Sequence, residues 1–309
     1  MKIFRGIETY SSERGACVTT GTFDGVHIGH RKIISKLNDM AESNNMESVM
    51  VTFDPHPRRV LFPDQTGLQL INTLEEKLDL LESTGISTVI VHPFTMEFSR
   101  TSALIYVRDL LVNRVGMKKL VIGYDHQFGK NREGSIDQLR ELAPLFNFEV
   151  DEIPAQEIDD VNISSTKIRH ALREGDVHSA NSYLGYDFYI TGKVVKGQSR
   201  GHGLGFPTAN ILIESSEKII PAQGVYAVEV VLESGRFKGM ANIGVNPTFG
   251  EENEQTVEVN IFDFNDDIYG KSIRMSFRKR IRSEMRFDNV DELIQQMQND
   301  KKETLSILA

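Results

Sequence analysis

The fold of this chain is decided by the stretch GTFDGVHIGH at residues 21–30, which follows an apolar, β-branched run at Ala16–Thr20 and opens a helical pattern. A turn between a strand and a helix is where open parallel sheets bind their ligands. Its glycines let the backbone approach a phosphate group closely, and the helix N-terminus offers amide donors and a positive dipole. His27 and His30 can donate hydrogen bonds to a phosphate that gains charge in a transition state. We therefore expect a nucleotide site here, rather than two surface histidines near a helix start.

The residues around this stretch alternate between short β-branched runs and amphipathic segments up to residue 186. Leu74, Leu78 and Leu81, for example, have the spacing of one buried helical face. Strands that alternate with helices of this length predict right-handed βαβ units and a parallel sheet. The predicted strands are Ala16–Thr20, Ser48–Phe53, Thr88–His92, Lys119–Gly123 and Phe148–Ile153, and the predicted helices are Gly29–Glu42, Leu74–Ser83, Ala103–Val115, Ser135–Leu145, Ser165–Glu174 and Val177–Leu184.

The pattern changes after Tyr186, where helical segments nearly vanish. Short strands separated by Gly, Pro, Asn and Ser turns predict a compact antiparallel barrel, and a helix at Val290–Gln298 closes the chain. We therefore expect two domains, residues 1–186 and residues 187–309, joined by a tight hinge. The predicted barrel strands are Tyr189–Val195, Thr208–Ile213, Val225–Leu232, Phe237–Ile243, Thr256–Asp263 and Ser272–Phe277.

The composition narrows the class of partner. The 309 residues carry 35 Lys and Arg against 44 Asp and Glu, a formal net charge of −9, which argues against a nucleic-acid coat or a protein that lies on an anionic membrane. The basic run at residues 278–282 is accordingly interpreted as a solvated strand end. Cys17 is the only cysteine, so we expect no disulfide and no thiolate zinc site, but a buried packing residue.

The sequence also bears on location. No apolar run approaches the ~18 residues that span a bilayer, and the N-terminus lacks the apolar core of a signal peptide. We therefore expect a cytoplasmic protein without a membrane partner. The oligomeric state is left open by the sequence.

A second anion site is predicted at the start of the helix Ser165–Glu174. Ser164, Ser165 and Thr166 offer three hydroxyls beside helix N-terminal amides, and Arg169 lies one turn inside, where it can pair with a phosphate. Alone, this is also the pattern of a capped helix with a cationic face. Together with the histidine turn, it marks the HxGH nucleotidyltransferases, which bring a nucleophilic phosphate onto the α-phosphate of ATP and release pyrophosphate. Class I aminoacyl-tRNA synthetases share this pairing, but the match to their Lys-Met-Ser-Lys-Ser loop is poor.

The third motif is a loop rich in glycine and cations that runs into a predicted barrel strand. Gly203 and Gly205 are candidates for contact with a nucleotide. Thr208 and Asn210 are two residues apart, so on a strand their side chains point the same way and could place two neutral oxygens on one magnesium ion. A glycine-rich hairpin without a ligand explains these residue types equally well.

The fourth motif lies on the predicted strand Thr256–Asp263. Strand alternation places Glu258 on one face with Asn260 and Phe262. A carboxylate with polar and aromatic neighbours on a barrel strand can act as a general base. An isolated carboxylate on a strand is nevertheless more often a solvent-exposed residue.

Nearly the whole chain resembles the prokaryotic bifunctional riboflavin kinase/FAD synthetase family, because its motifs keep that family's order and spacing. The resemblance implies a Rossmann-like HxGH nucleotidyltransferase domain with a parallel sheet, followed by an antiparallel β-barrel riboflavin kinase domain with a terminal helix. The matching segments are Gly21–His30, Thr52–Pro57, Gly123–Asp125 with Phe128–Gly129, Ile163–Arg169, Leu204–Asn210, Asn246–Phe249 and Val257–Gly270.

The resemblance also implies two reactions. The barrel would phosphorylate the ribityl 5′-hydroxyl of riboflavin with MgATP, giving FMN and ADP, with Glu258 as the base and magnesium on Thr208 and Asn210. The N-terminal domain would transfer AMP from a second ATP to FMN, giving FAD and pyrophosphate, with His27 and His30 stabilising the transition state. Arg169, which would hold the phosphates, counts with the catalytic residues. The implied adenylyl-site nucleotide contacts are Gly21, Phe23, Asp24, Ser164, Ser165 and Thr166, and the implied flavin contacts are Asp54, Pro55, His56, Pro57, Asp125 and Tyr269.

Two residues depart from the family's usual pattern. Asp54 stands where Glu is common before Pro-His-Pro, and Asn260 stands where His is frequent after the catalytic Glu, which bears on flavin affinity and loop dynamics. Two alternatives stay open: a chain in which one module alone works, and a flavin-binding protein without turnover. Intact motifs in both halves argue against the first. Glu258, whose role is proton removal rather than binding, argues against the second.

Overall fold

Residues 1–164 and residues 165–309 form two packing units in the computed structural model of the chain. Each unit is built on its own sheet. The structure describes residues 1–12, 14–63, 67–123, 127–130, 133–154, 163–197, 205–245 and 255–309.

The first unit contains a parallel sheet of six strands. They are β1 Lys2–Arg5, β2 Ala16–Thr20, β3 Glu47–Asp54, β4 Thr88–Pro93, β5 Met117–Gly123 and β6 Glu149–Ile153. The strand order is β1-β4-β3-β2-β5-β6, so the chain runs from β2 to one side of the sheet and later crosses to the other side. This reversal beside β2 is the switch point at which open parallel sheets bind ligands. Residues 21–30 follow β2 directly at that point.

Apolar clusters lie on both faces of this sheet. In β2, Val18 belongs to the core of one face and Cys17 to the core of the other, and both side chains are fully buried. Near-continuous apolar strands are typical of parallel sheets, and the expected burial of Cys17 is confirmed. The helices are α1 Ile28–Ser43, α2 Pro57–Leu61, α3 Leu74–Glu82, α4 Ala103–Ile105, which continues as a π-helix over Tyr106–Arg114, and α5 Ile136–Phe146, with 3₁₀ turns at Ile7–Thr9 and Phe98–Arg100.

Side chains fix the first residues of α1 and α3. His27 occupies the N-cap of α1. Thr73 caps α3 in a capping box, because its hydroxyl accepts the Glu76 amide at 3.2 Å while the Glu76 carboxylate accepts the Thr73 amide at 3.1 Å. The two helices therefore begin at defined positions beside the central strands.

The second unit contains a closed antiparallel barrel with strand order β10-β11-β8-β7-β12-β9, which β9 and β10 complete by pairing with each other. Its strands are β7 Tyr189–Val195, β8 Ala209–Leu212, β9 Gly224–Leu232, β10 Gly235–Val245, β11 Gln255–Ile261 and β12 Ser272–Arg282. The fold class predicted from the sequence, a parallel α/β domain followed by an antiparallel barrel with a terminal helix, is confirmed.

Three helices pack with the barrel: α6 Ser165–Glu174, α7 Val177–Leu184 and α8 Val290–Ile307. Asn181 in α7 makes two of the contacts, since its Nδ2 donates to the Phe277 carbonyl and its Oδ1 accepts the Phe188 amide, each at 2.8 Å. The packing unit thus begins at Ser165, and the functional boundary at residue 186 stays a prediction.

A buried ion pair joins α8 to the barrel. Nε of Arg282 lies 2.9 Å from Oδ2 and 3.1 Å from Oδ1 of Asp300, and Asp300 is 2% exposed. Gln296 donates to the same carboxylate at 2.8 Å. The prediction that residues 278–282 form a solvated strand end is therefore wrong at Arg282, because this side chain is largely buried and pairs with Asp300 of α8.

Candidate active sites

The turn after β2 has a strained backbone. Phe23, Gly25 and Val26 have φ angles of 49°, 90° and 36°, in the left-handed region that residues other than glycine rarely adopt. Phe23 and Val26 are buried. Gly21 lets the Phe23 ring pack closely, because a Cβ there would lie 3.1 Å from that ring and would push it aside slightly. Such strain persists only where the surroundings hold it, and it clusters at ligand sites.

The turn brings His27 and His30 face to face. Their ring centroids are 3.6 Å apart, with planes 18° from parallel, and the Phe23 ring lies 5.0 Å from the His30 ring. Nδ1 of His27 accepts the His30 amide at 3.4 Å, which in a neutral imidazole leaves the proton on Nε2. Nδ1 of His30 is buried and has no hydrogen-bond partner within the described residues. Two imidazoles therefore stand at a helix N-terminus, which is a favourable place for an anion.

The surroundings of His30 favour its neutral form. Burial lowers the pKa of His30 well below its ordinary value of 6.5, and the nearby His27 and Lys77 lower it further. A neutral imidazole carries one N–H that can donate to a phosphate oxygen. At neutral pH, His30 is thus a hydrogen-bond donor rather than a cation.

Asp24 anchors the turn to the segment before α3. Its carboxylate is 4% exposed, and its Oδ1 accepts the amides of Ile71 at 3.0 Å and Asn72 at 3.3 Å. These bonds give Asp24 a structural role. Its predicted contact with a nucleotide stays a prediction.

Lys77 in α3 is a residue that the sequence analysis missed. Its side chain is buried, with 8% exposed, and its Nζ donates to the Thr22 carbonyl at 3.3 Å and to Thr52 Oγ1 at 3.1 Å. Burial lowers the pKa of Lys77, while the carboxylates of Asp24 and Asp54 act to raise it. A buried ammonium group thus lies directly beneath the turn.

A signal for the burial of Lys77 is present in the sequence. Lys77 follows Leu74 by three residues and precedes Leu81 by four, so it shares the apolar face of α3. A lysine on the buried face of a helix needs polar partners. Such partners are expected at the ends of the strands on which the helix packs.

The segment Asp54–Pro57 leaves β3, the strand next to β2. Asp54 and Pro55 are exposed, and His56 caps α2 by accepting the Arg58 amide at 3.2 Å. The action of Asp54 on Lys77 places this segment near the histidine turn. The predicted flavin contacts at Asp54–Pro57 therefore lie at the same edge of the sheet as the turn with Gly21, Phe23 and Asp24.

Aromatic side chains continue along this edge. We call Phe53, Phe94, Phe98, Tyr106 and Phe128 the ring row. The Phe53 centroid lies 5.6 Å from that of Phe94 and 5.7 Å from that of Phe98, and the row continues to Tyr106 at 6.1 Å and Phe128 at 5.9 Å. Phe53, Phe94 and Phe98 are half-buried at this edge, whereas Tyr106 and Phe128 are buried in the core on one face of the sheet. A planar ligand could therefore reach the first three rings but not the last two.

The second anion motif opens α6 as predicted. Ser164 precedes the helix, Ser165 and Thr166 lie in its first turn, and Arg169 follows one turn later. Thr166 is exposed, whereas Arg169 is 7% exposed. The arrangement suits an anion at a helix N-terminus, and its role toward phosphate stays a prediction.

On the barrel, the structure brings Thr208, Asn210 and Glu258 together. Asn210 on β8 and Glu258 on β11 are direct partners across the strand pair, and Thr208 Oγ1 donates to Glu258 Oε2 at 3.1 Å. All three side chains are partly exposed, so a ligand can reach them. The Thr208 hydroxyl and the Asn210 amide supply neutral hard oxygens, which magnesium accepts as ligands, beside the Glu258 carboxylate. The residues therefore fit a magnesium–nucleotide site.

Two neighbours position this cluster. A Cβ at Gly197 would lie 1.9 Å from Nδ2 of Asn210, so glycine lets the chain pass close to that side chain. Asn260, which is 6% exposed, donates to the Pro207 carbonyl at 2.6 Å and so holds the residue before Thr208. At this position, where the family frequently has His, the Asn260 side-chain amide therefore has a structural role.

Of the remaining predicted site residues, the structure describes Gly205 and Tyr269. Gly205 has a φ angle of 79°. Tyr269 is 52% exposed. The amide of the next residue, Gly270, donates to the Val194 carbonyl on β7 at 2.8 Å. The residue after Val194, Val195, pairs with Asn210. Two predicted contacts, Asp125 and Gly203, lie outside the described residues.

Comparison with known proteins matches both halves of the chain. A family model for FAD synthetase matches residues 9–167, and one for riboflavin kinase matches residues 184–308. The chain is 37% identical over 291 residues to a bifunctional riboflavin kinase/FMN adenylyltransferase of Bacillus subtilis, covering 92% of this chain and 90% of that protein. It is 36% identical over 304 residues to the protein of the same name from Escherichia coli, covering 97% and 96%.

A solved structure also shares the fold. The crystal structure of a protein from Streptococcus pneumoniae described as a macrolide-efflux protein has a TM-score of 0.89 and 31% identity, covering 98% of this chain and 99% of that one.

Among the helices of the described residues, none has the length and apolar character of a membrane span.

Proposed function

Because the chain belongs to the family of bifunctional riboflavin kinase/FMN adenylyltransferases, we propose that its two candidate sites divide the family's two reactions between them. The chain phosphorylates riboflavin to FMN with ATP, and it adenylylates FMN to FAD with release of pyrophosphate. We assign the kinase to residues 187–309, around Glu258. We assign adenylyl transfer to residues 1–186, around His27 and His30.

In the kinase, Glu258 takes the proton of the ribityl 5′-hydroxyl as the oxygen attacks the γ-phosphorus of ATP. A sugar hydroxyl is a weak nucleophile at neutral pH, and a positioned base contributes about 10²–10⁴ in rate to such a step. The bond from Thr208 to Glu258 Oε2 supports this role, because it orients the carboxylate. Thr208 and Asn210 would hold the magnesium ion of MgATP, which offsets the charge of the phosphates.

In adenylyl transfer, a phosphate oxygen of FMN attacks the α-phosphorus of ATP, and the bond to the bridging oxygen breaks as pyrophosphate leaves with the electron pair. Charge gathers on the oxygens around the α-phosphorus, and His27 and His30 donate N–H groups to them. The stacked imidazoles at the N-terminus of α1, directly after the central strand, are the observation that carries this assignment. Gly21, Phe23 and Asp24 shape the turn that receives the nucleotide.

The flavin of FMN binds beside the half-buried rings of Phe53, Phe94 and Phe98, in this proposal. Phe53 is the residue before the Asp54–Pro57 segment and its ring centroid lies 5.6 Å and 5.7 Å from those of the other two rings, and an isoalloxazine ring is a planar ligand that can pack on aromatic side chains. We also assign a flavin contact to Asp125, and contacts with the nucleotide phosphates to Ser164–Thr166 and Arg169. In the kinase, Tyr269 contacts riboflavin and the loop with Gly203 and Gly205 contacts ATP.

The partners that follow from this function are small molecules, namely riboflavin, FMN and ATP. We propose that the reactions occur in the cytoplasm, without a nucleic-acid or membrane partner. The acidic net charge of −9 argues against those two kinds of partner, because nucleic acids and anionic membranes would repel an acidic protein.

The division of labour is tested by cutting the chain. The full chain, given riboflavin, ATP and magnesium, should form FMN first and FAD later in a time course. The fragments 187–309 and 165–309 should each form FMN and no FAD, and 165–309 should be the more stable because it keeps the bonds of Asn181 to the barrel. A folded 165–309 without kinase activity would contradict the assignment. If 187–309 alone failed to fold, the boundary at residue 186 alone would be wrong.

A further inference from the structure

The side chain of Lys77 closes a buried triangle of hydrogen bonds beneath the Gly21–His30 turn. Its Nζ donates to the Thr22 carbonyl and to Thr52 Oγ1, and that hydroxyl donates to the same carbonyl at 3.2 Å. Thr52 is fully buried and Lys77 is 8% exposed. Burial of an ammonium group is costly unless polar groups compensate. An apolar side chain would fill this space at lower cost, so the charge itself calls for an explanation.

The triangle fixes the peptide group between Thr22 and Phe23. In a trans peptide, the C=O and N–H bonds point in opposite directions. A Thr22 carbonyl held by Lys77 therefore directs the Phe23 amide to the opposite side of the turn. Phe23 has a φ angle of 49°, a conformation that persists only when neighbouring groups determine it. Lys77 and Thr52 are two such groups.

The ammonium also acts on the histidines. The ionisable groups that face Lys77 are Asp24 from the turn, Asp54 from the end of β3, and His30; His27 is stacked against His30. Burial and His27 lower the pKa of His30, and Lys77 lowers it further. Lys77 therefore helps to keep His30 neutral, with a single N–H to donate.

We infer that Lys77 is a positioning residue for adenylyl transfer, which holds the nucleotide turn in its strained conformation and keeps a positive charge behind the paired histidines. Its partners are Thr22 and Thr52, so it acts through the turn. The inference rests on the function proposed above for that turn.

The principal test is Lys77→Met, which keeps the length of the side chain and removes its charge. The fold should tolerate this change, because Thr52 can still donate to the Thr22 carbonyl and Asp24 keeps its bonds to the Ile71 and Asn72 amides. We expect an unfolding midpoint no lower than that of the wild type. We expect kcat for FMN adenylylation to fall roughly 10- to 100-fold, while riboflavin phosphorylation by the same chain is unchanged.

The pH profile separates positioning from mere structure. Loss of the neighbouring cation raises the pKa of His30, so the acid limb of the adenylylation profile should move to higher pH in Lys77→Met. Thr52→Val removes the hydroxyl and keeps the charge. This variant should raise KM for ATP or lower kcat, and its acid limb should stay in place. Lys36→Met is the matched control, since Lys36 pairs with Asp151 at 2.7 Å on the surface of the same unit, and it should leave adenylylation unchanged.

His30→Ala, assayed in parallel, distinguishes two failures. If His30→Ala still makes FAD at the wild-type rate, the proposed function of the turn is wrong. If that variant is impaired but Lys77→Met adenylylates within twofold of the wild type with an unmoved acid limb, the inference about Lys77 alone is wrong. A parallel fall in unfolding midpoint and rate without a pH shift would also overturn it, since that is a structural role. Should Lys77→Met not fold, wild-type kinetics in Thr52→Val would overturn the inference.

Discussion

The turn after β2 obtains its geometry from the backbone, whereas the barrel cluster obtains its geometry mainly from two side chains on regular strands, Asn210 and Glu258. Thr208, which the sequence predicts to open the strand, lies one residue before β8. Phe23 and Val26 have positive φ angles in the turn, but the barrel residues follow from strand alternation and from one register, Asn210 opposite Glu258. A backbone site depends on groups that hold it from behind. A side-chain site depends mainly on the residues that meet the ligand, so mutations should affect the two in different ways.

The largest effect is expected from Glu258→Gln, which breaks the side-chain site at its reactive group. The amide keeps the shape of the carboxylate but cannot take the proton, so kinase turnover should fall by about 10²–10⁴. Riboflavin and ATP should still bind, and added FMN should be converted to FAD at the wild-type rate. The two rates are measured side by side on one preparation. Kinase turnover within a few-fold of the wild type would remove Glu258 from the mechanism.

The next effect is expected from His30→Ala, which removes a donor from the backbone site. Loss of such a donor typically costs about 10²–10³ in rate, so FMN should accumulate while FAD formation slows. Riboflavin phosphorylation should be unchanged, which makes the kinase an internal control for loading and folding. An equal loss in both reactions would contradict a local role for His30.

A smaller effect is expected from Gly197→Ala, which moves a metal ligand without replacing it. The added Cβ would lie 1.9 Å from Nδ2 of Asn210, so that flexible side chain must shift. We expect the fold to survive and kinase kcat/KM for MgATP to fall about tenfold, the scale seen when groups that orient a metal ligand are altered. Gly67→Ala is the matched control, because its Cβ would meet no atom of the described residues within 4 Å. An unchanged kinase would show that Asn210 need not hold its present position.

The smallest effect concerns stability and pH. Burial lowers the pKa of His30 and of His92, an effect that His27 and Lys77 reinforce at His30 and that Glu8 opposes at His92. Below pH 6.5 the unfolded chain takes up these protons before the folded chain does, so the free energy of unfolding is retained above that pH and falls as the pH decreases. Each histidine contributes at most about 1.4 kcal/mol per pH unit. Urea unfolding at pH 7.5 and 5.5 is followed by circular dichroism. Between these pH values, His30→Ala should lose less free energy of unfolding than the wild type, and an equal decrease in the two proteins would contradict the burial of a neutral His30.

The elements that the sequence predicts best are those whose own residues determine them. Ala16–Thr20, Ser165–Glu174 and Val177–Leu184 have the predicted bounds. All five residues of β2 are buried. The last of these helices is capped by the Asp176 side chain and ends at Gly185 in the left-handed conformation.

Elements that depend on distant partners were missed or shortened. Strand β1, Lys2–Arg5, has no fully buried residue and is a strand because it pairs with β4. Helix α8 runs to Ile307 rather than to the predicted Gln298. The polar run after Gln298 resembles a helix end, but Asp300 within it is buried because Arg282 binds it. These tertiary contacts leave no local pattern.

The candidate sites show the same division. Alternation and the family resemblance together pointed to Thr208, Asn210 and Glu258, which the structure brings together. Nothing in the residue types Phe23 and Val26 announces a left-handed backbone, since side chains of these types disfavour it. The lysine that supports the turn lies in the charged run Glu-Glu-Lys, which is typical of an exposed helix face, and so was overlooked despite its position on the apolar stripe of α3.

The buried pair of Arg282 and Asp300 constrains how this sequence can evolve. Loss of one partner leaves the other as an unpaired buried charge, which destabilises the fold by about 3–5 kcal/mol. Exchange of both partners for apolar residues of similar volume is often neutral or stabilising. An exchange of both residues by successive mutations therefore passes through a singly substituted, poorly folded chain that selection would remove. Among homologues, the two positions should change together or not at all, and their covariation would report the docking of the terminal helix in lineages for which no structure has been solved.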